Sequence, residues 1–146
     1  MKSIIKNKKA YFEYQILEKL TAGIQLQGSE VKSIKASKVS IAEAYCFLKD
    51  GELFVKGMHV TEHKEGGKHY NHVPLRDRKL LLKRKEINKL IANTQQKGLT
   101  IVPLEIFVSS KGYIKLEIGL ARGKNLYDKR NSIKEKDLKR EAEKNF

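Results

Sequence analysis

The chain has 146 residues, a length that fits one domain with a substantial core. It carries 31 Lys and Arg against 17 Asp and Glu, and the formal net charge of +14 favours an anionic partner such as nucleic acid or an acidic membrane face. Because no apolar run has the length of a signal peptide or a membrane span, we expect an unexported, cytoplasmic protein. The lone cysteine, Cys46, excludes an internal disulfide and fits a reducing compartment.

The first third of the chain predicts strands followed by a short helix. Residues 10–18 alternate with period two, as a half-buried strand does, and this places Phe12 and Ile16 on one side. The alternation returns in residues 22–28. Ser29 then offers a helix cap ahead of apolar residues at helical spacing.

The middle of the chain contains the clearest hairpin signal and a long polar segment. Two alternating runs flank Asp50 and Gly51, a pair that readily supplies the positive φ angles of a tight turn. Residues 63–78 are polar and contain adjacent glycines and a proline, so they predict a loop. Residues 80–82 then open a second helix, which we expect to cover the sheet and to end at a C-cap on Gly98.

Residues 99–123 predict two further strands joined by a turn at residues 110–112. One face of the last strand is apolar, and Tyr113, Lys115 and Glu117 lie on the other. About six short antiparallel strands with one or two packed helices predict a mainly β fold, a small closed barrel of the oligonucleotide-binding kind. We expect this barrel in residues 1–122 and a separate basic tail in residues 123–146.

Patterns for catalysis or metal binding are weak. Four histidines are close in sequence, but three of them lie in the glycine-rich polar segment and no cysteine is near, so we expect solvated side chains rather than metal ligands: His59, His63, His69 and His72. The chain offers no recognisable Ser/His/Asp or Cys/His arrangement, and its GLARGKN segment lacks the spacing of a phosphate-binding loop. The sequence therefore predicts neither an enzyme nor a bound cofactor.

Basic residues are interleaved with polar and aromatic ones in four separate stretches, NKKAYF, EVKSIKASK, RDRKLLLKRK and ARGKNLYDKR. Each stretch alone fits a solvated face. Brought together on one barrel, they predict a surface whose Lys and Arg side chains neutralise RNA phosphates while Tyr or Phe stacks on unpaired bases.

Five segments carry a resemblance to a known family: NKKA, AGIQLQGSEVKSIKASKVSIAEAY, NHVPLRDRKLLL, KGLTIVPL and IGLARGKNLYDKR. In this order they span nearly the whole chain and resemble the signatures of SsrA-binding protein, also called small protein B. The resemblance implies an oligonucleotide-binding-type barrel with packed helices that binds the tRNA-like domain of transfer-messenger RNA (tmRNA). It further implies that the protein supports alanylation of this RNA by alanyl-tRNA synthetase and delivers it, with elongation factor Tu, to ribosomes stalled without a stop codon.

The resemblance also implies which residues contact RNA: Asn7, Lys8, Lys9, Thr21, Glu30, Lys32, Ser33, Arg76, Arg78, Lys79, Leu81 and Lys115. At the position of Thr21, family members commonly have a glutamate implicated in RNA binding. This chain departs from the family there, so the corresponding contact must be made differently.

The C-terminal tail alternates basic and acidic residues, and pairs such as Glu135 and Lys139 have helical i, i+4 spacing. Its apolar stripe is broken, so we expect a segment that is disordered in solution and folds on a highly anionic surface. The resemblance implies that this surface is the decoding centre and empty mRNA channel of the small ribosomal subunit, with Tyr127 stacking on a ribosomal base. The implied contacts are Gly123, Lys124, Tyr127, Asp128, Lys129 and Arg130.

Other interpretations of the sequence remain open. A general single-stranded-RNA-binding or ribosomal protein would share the barrel and the charge, but it would bind bulk RNA as well as tRNA-like RNA. A metal-dependent nuclease would need the histidines as ligands. For the tail, the alternative is a segment that only increases solubility.

Overall fold

The structure is a computed structural model that describes residues 2–62, 72–96 and 98–124. In chain order its elements are β1 (Lys2–Lys6), α1 (Lys8–Glu13), β2 (Tyr14–Ile24), α2 (Gly28–Lys35), β3 (Val39–Ser40), β4 (Tyr45–Lys49), β5 (Glu52–Lys56), β6 (His59–Val60), β7 (Arg78–Leu81), α3 (Arg84–Thr94), β8 (Leu99–Val108) and β9 (Ile114–Gly123). Seven strands form one sheet in the order β1, β8, β9, β2, β7, β5, β4, and β3 pairs with β6. The mainly β class is confirmed, with more strands than the predicted six.

Closure of the large sheet into a barrel stays a prediction. The hydrogen-bonded order begins at β1 and ends at β4, and no strand pairing joins these two ends within the described ranges. β4 does lie against β8, the neighbour of β1, so the sheet curls back towards its first strands. In the same ranges, none of the helices has both the length and the apolar composition needed to cross a membrane.

The main core lies on one face of this sheet and follows from the period-two patterns. β9 shows the predicted alternation, since every second side chain from Ile114 to Leu120 is buried. α3 packs over the sheet as expected, with Ile87 and Leu90 buried. Cys46 also lies in this core, where burial raises the pKa of its thiol and keeps it protonated.

A smaller apolar cluster lies under α1, where Ala10 packs near Leu104 and Ala121. The strands approach closely at this point, and a Cβ on Gly119 would lie 2.8 Å from Leu104 Cδ1 and 3.1 Å from Ile16 Cγ2. Glycine at position 119 therefore leaves room for Leu104, at the bulge of β8, and for Ile16, which precedes the bulge of β2.

The predicted strand over residues 10–18 is wrong in its first half, because residues up to Glu13 belong to α1. Asn7 accounts for the difference. Its Oδ1 accepts a hydrogen bond from the Ala10 N–H at 3.1 Å and so caps the helix, while its Nδ2 donates to the carbonyls of Ile41 and Pro103 at 3.1 and 2.9 Å. These contacts turn the chain before β2.

Two further helix starts differ from the prediction. α2 is preceded by Gln27 rather than capped by Ser29, and the Gln27 N–H donates to Glu30 Oε1 at 2.7 Å. The helix expected from residues 80–82 is wrong at its start, since Leu80 and Leu81 lie in β7. β7 is hydrogen-bonded on both sides, to β5 and β2, and this pairing outweighs the helical spacing of its leucines.

The turn residues in the sequence predict the two hairpin turns correctly. The predicted hairpin joins β4 and β5, with positive φ angles of 52° at Asp50 and 76° at Gly51. The predicted turn between β8 and β9 has Gly112 at φ 87°. Gly98 also has a positive φ, but it follows the helix end at Thr94, so the predicted C-cap there is wrong. Of the predicted loop over residues 63–78, residues 63–71 lie outside the described residues and Arg78 begins β7.

A buried ion network ties α2 to β7. The Glu30 side chain is fully buried, and its two oxygens accept hydrogen bonds from Gln27 N, from Arg76 Nε and Nη2, and from Arg78 Nε, at 2.7–3.0 Å. Arg78 is also fully buried and donates to the carbonyls of Met58, Val73, Pro74 and Arg76. Burial alone would raise the pKa of Glu30, but the hydrogen bonds from Arg76 and Gln27 and the charge of Arg78 outweigh it and hold that pKa below its ordinary value.

The Glu30→Gln variant should lose about 3 kcal/mol of unfolding free energy at pH 7, because it leaves Arg78 buried without its counter-charge. Since the pKa of Glu30 is lowered in the folded state, its stabilising effect is complete above the unfolded-state pKa and is lost as pH falls through the folded-state value. Urea unfolding at neutral and acidic pH should therefore show the difference between wild type and variant shrinking in acid.

Glu43→Gln is the matched control for that measurement, because the Glu43 carboxylate pairs with Lys9 at the exposed surface. It should change stability little at either pH. Equal stability of wild type and Glu30→Gln at pH 7 would contradict a structural role for the buried carboxylate.

Candidate nucleic-acid interface

Three residues on adjacent strands define a groove on the outer face of the sheet. Gly23 of β2 is paired with Leu81 of β7 on one side and with Lys115 of β9 on the other. Paired residues in a sheet point to the same face, so the leucine and lysine side chains flank a position that has no side chain. A Cβ on Gly23 would lie 3.3 Å from Leu81 Cβ, so any larger residue would narrow this space.

The groove has a volume of about 300 Å³. Its lining is mostly apolar and comes from three strands, the β2–α2 loop, α2 and the β8–β9 turn: Gly23, Ile24, Leu26, Val31, Leu81, Gly112, Tyr113, Ile114 and Lys115. Leu81 is 50% exposed and Tyr113 is 64% exposed, and both line the same groove, so they form one exposed apolar patch. An open apolar floor with a free aromatic edge and an ammonium group suits a nucleobase and its phosphate.

Tyr113 and Gly23 are site residues that the sequence analysis did not select. Tyr113 was assigned only to the polar face of its strand, although an aromatic side chain on that face was the available signal. The importance of Gly23 depends on the register of three strands, and the sequence pattern does not supply this register.

Thr21 and Lys79 extend the same outer face. Lys79 lies two residues before Leu81 on β7, and Thr21 lies two residues before Gly23 on β2. Thr21 is exposed and is paired with Glu117, whose carboxylate lies 4.0 Å from the Lys19 ammonium group. A carboxylate is thus present beside Thr21, but it comes from the neighbouring strand.

Arg76 is the partly exposed member of the Glu30 network. Its Nη2 donates to Glu30 Oε1 at 2.7 Å and to the Gln25 carbonyl at 3.1 Å, so the guanidinium is held beside the end of β2. Lys32 is exposed on α2, two residues after Glu30. These cations can contact phosphates near the groove.

Several of the residues implied by the resemblance are engaged inside the protein. The side chains of Asn7, Glu30 and Arg78 are buried and hydrogen-bonded as described above, and buried Ser33 donates to the Thr61 carbonyl at 2.7 Å. The structure uses these side chains to hold the backbone. Their predicted RNA contacts stay predictions and would require these partners to be exchanged.

Lys8 and Lys9 are exposed on α1, away from the residues that line the groove. Lys9 and Asn7 border a different cavity of about 350 Å³, together with Tyr14 and Tyr45. Lys9 also forms an ion pair of 2.7 Å with Glu43. The structure therefore does not bring the NKKA segment together with the groove.

The predicted tail begins at the opposite end of the β2–β9 ladder. Gly123 is paired with Tyr14, and the Lys124 N–H donates to the Glu13 carbonyl at 2.7 Å. From Tyr14 to Gly23 the chain advances nine residue positions along β2, roughly 30 Å of strand. The other predicted tail contacts, from Tyr127 to Arg130, lie outside the described residues.

The histidines show no common site in the part of the chain that the structure describes. His72 is buried, with its Nε2 hydrogen-bonded to the Val60 carbonyl at 2.8 Å and its Nδ1 to Ser29 Oγ at 2.9 Å. His59 is exposed on β6, and His63 and His69 lie outside the described residues. No group of three metal-ligating side chains gathers among the residues described.

Comparisons with known proteins agree with the resemblance. The family model described as SmpB protein matches residues 4–146. The SsrA-binding protein of Cytophaga hutchinsonii is 53% identical over 139 residues, which cover 95% of this chain and 90% of the relative. The SsrA-binding protein of Acetivibrio thermocellus is 50% identical over 140 residues, 96% of this chain and 90% of the relative.

A solved structure, described as "tmRNA-SmpB: a journey to the center of the bacterial ribosome", contains a chain of similar fold. The two chains superimpose with a TM-score of 0.71 at 40% sequence identity, and the match covers 88% of this chain and 93% of that one. The chain therefore belongs to the SmpB protein family, the family of the SsrA-binding proteins.

Proposed function

We propose that this protein binds the tRNA-like domain of tmRNA and delivers that RNA to stalled ribosomes for trans-translation. The observation that carries the proposal is the register that places Leu81 and Lys115 on either side of Gly23. The relatives are named for binding SsrA RNA, and the similar solved chain belongs to a tmRNA–ribosome assembly. The net charge of +14 supplies the attraction for the phosphate backbone.

In this proposal the groove recognises an unpaired or exposed base. Leu81 and Tyr113 provide apolar and aromatic surface against the base, and Lys115 neutralises a neighbouring phosphate. Arg76, held in place by Glu30, contacts the backbone nearby together with exposed Lys32 and half-buried Lys79. Family members commonly have a glutamate at the position of Thr21. Glu117 supplies a carboxylate in its place, because Thr21 and Glu117 are paired across β2 and β9.

The tail has a separate part in the proposal. The chain leaves the sheet after Gly123, about 30 Å along β2 from the groove, so one molecule can hold tmRNA at one end and reach the ribosome from the other. The segment after Lys124 is proposed to be disordered until it folds in the decoding centre and the empty mRNA channel, with Tyr127 stacking on a ribosomal base.

The protein acts by binding, not by catalysis, and needs no cofactor in this proposal. Elongation factor Tu and alanyl-tRNA synthetase are indirect partners, because they act on the same tRNA-like domain that this protein binds. Ribosome rescue places the protein in the cytoplasm. Selective binding of tRNA-like RNA over bulk RNA in a competition assay distinguishes this function from that of a general RNA-binding or ribosomal protein.

Lys115→Ala should weaken binding of the tRNA-like domain roughly tenfold, the loss of about 1.4 kcal/mol, because one charge-assisted contact to phosphate is removed. The slope of log affinity against log salt should also decrease by about one. Filter binding across a salt series measures both quantities.

Lys85→Ala serves as the control, since Lys85 is exposed on α3 and does not line the groove. It should leave the affinity nearly unchanged. If Lys115→Ala lowers the unfolding temperature while each folded molecule still binds RNA with wild-type affinity, Lys115 is a structural residue.

Deleting residues 131–146 should leave folding and tmRNA binding nearly intact, because the described core is complete before Lys124. The same deletion should abolish peptide tagging on stalled ribosomes. Tagging in a reconstituted translation system and RNA binding by the same preparation are the two measurements. A truncated protein that tags normally, or that loses tagging only in proportion to RNA binding, contradicts the separate part assigned to the tail.

A further inference from the structure

The β4–β5 hairpin carries aromatic rings on the face that points away from the main core. Phe47 and Phe54 are paired across the two strands and stack with centroids 5.5 Å apart and an interplanar angle of 21°. The Tyr45 ring lies 6.5 Å from that of Phe47 and is 48% exposed. We call these three side chains the aromatic face. The alternate residues Leu53 and Val55 are buried in the core on the other side of the hairpin.

Lysines border the aromatic face on three sides. Lys56 is paired with Tyr45, Lys79 is paired with Phe54, and Lys49 follows Phe47 at the next position on the same face of β4. Lys49 and Lys56 are exposed. Glu52, the acidic residue beside them, is compensated by Arg84 at 2.8 Å and by Lys79 at 3.9 Å. The surface around the rings is therefore positively charged.

Recesses lie on either side of the ring cluster. Tyr45 lines the cavity of about 350 Å³ beside α1, and Phe47 lines a second cavity of about 180 Å³ beside the end of α3. Thr100 of β8 borders both of them. Open space therefore lies beside the three rings, of which Tyr45 is exposed and Phe47 and Phe54 are half-buried.

We propose that the aromatic face is a second RNA-binding site, which stacks on unpaired bases while Lys49, Lys56 and Lys79 contact the flanking phosphates. Aromatic side chains displayed on a sheet among basic residues are a general means of binding single-stranded RNA, because every base has a π-face. Lys79 and Leu81 lie on the same face of β7, so this site adjoins the groove. The inference rests on the proposed function, and because the site adjoins the groove, the unpaired bases belong to tmRNA.

The test uses the full chain and a fluorescent single-stranded RNA of eight mixed nucleotides. The Phe47→Leu/Phe54→Leu double variant keeps apolar volume but removes two stacking rings, and it should bind the oligonucleotide roughly tenfold or more weakly by anisotropy. Phe12→Leu, an exposed aromatic on α1, is the matched control and should bind like wild type. Thermal unfolding of each variant checks that it is folded.

A second variant avoids the partly buried rings. Lys56→Gln alters only an exposed side chain and should reduce the salt slope of oligonucleotide binding by about one. Photo-crosslinking of an oligonucleotide that contains 5-iodouridine should label residues 45–56 in wild type. Crosslinks confined to other residues, together with unchanged affinity of a folded double variant, would overturn the proposal.

Two additional arms identify the source of the bases. A double variant that binds the tRNA-like domain more weakly supports tmRNA as the source, and one that binds only small ribosomal subunits more weakly would assign the bases to ribosomal RNA and overturn this choice. Loss of self-association or of binding to an acidic protein, with RNA affinity unchanged, would contradict the assignment. If instead wild type fails to bind the tRNA-like domain, the proposed function fails independently of the oligonucleotide result.

Discussion

The buried carboxylate of Glu30 is the constraint on which the candidate interface depends. One of its oxygens holds the start of α2 and Arg76, and the other holds Arg76 and Arg78. α2 contributes Val31 to the groove and β7 contributes Leu81, so one anion fixes the relative position of two of its walls. An unpaired carboxylate at this depth would be too costly to keep charged. Four hydrogen bonds, three from the two arginines and one from the Gln27 N–H, make its burial possible.

The sequence predicts the structure correctly where that structure depends on residues close together in the chain. The β4–β5 hairpin depends on two turn residues, and the core-facing side of β9 depends on the alternation of apolar residues, so both were predictable. α1 was not, because the two carbonyls that hold the Asn7 amide come from residues 34 and 96 positions away. The leucines of β7 have helical spacing, and only pairing with strands distant in sequence makes them a strand.

The same limit applies to the interface. Residue type and family resemblance selected Leu81 and Lys115, but strand register alone brings them to either side of Gly23. Residue type also fails to report burial, so Arg78 was grouped with surface cations although it is fully enclosed. The Arg78 guanidinium donates only to acceptors inside the protein, so it stabilises the fold. Contact with phosphate is left to exposed lysines.

The β2–β9 ladder separates the groove from the start of the tail. The groove lies near Gly23 and the start of the tail lies near Tyr14, with the rigid sheet between them. Both strands are paired along most of their length, so the separation is maintained by backbone hydrogen bonds and does not depend on flexible side chains. Such a scaffold suits a protein that must hold one RNA while another part of the chain reaches a second site.

RNA binding by Gly23→Val tests the central claim most directly, because the new side chain would occupy the space between Leu81 and Lys115 without removing any existing group. Gly28→Val is the matched control, since a Cβ at Gly28 meets no atom within 4 Å. The account predicts that folded Gly23→Val loses roughly tenfold or more in affinity for the tRNA-like domain, and that Gly28→Val binds like wild type. A folded Gly23→Val protein that retains wild-type affinity would contradict the assignment of this groove as the RNA interface.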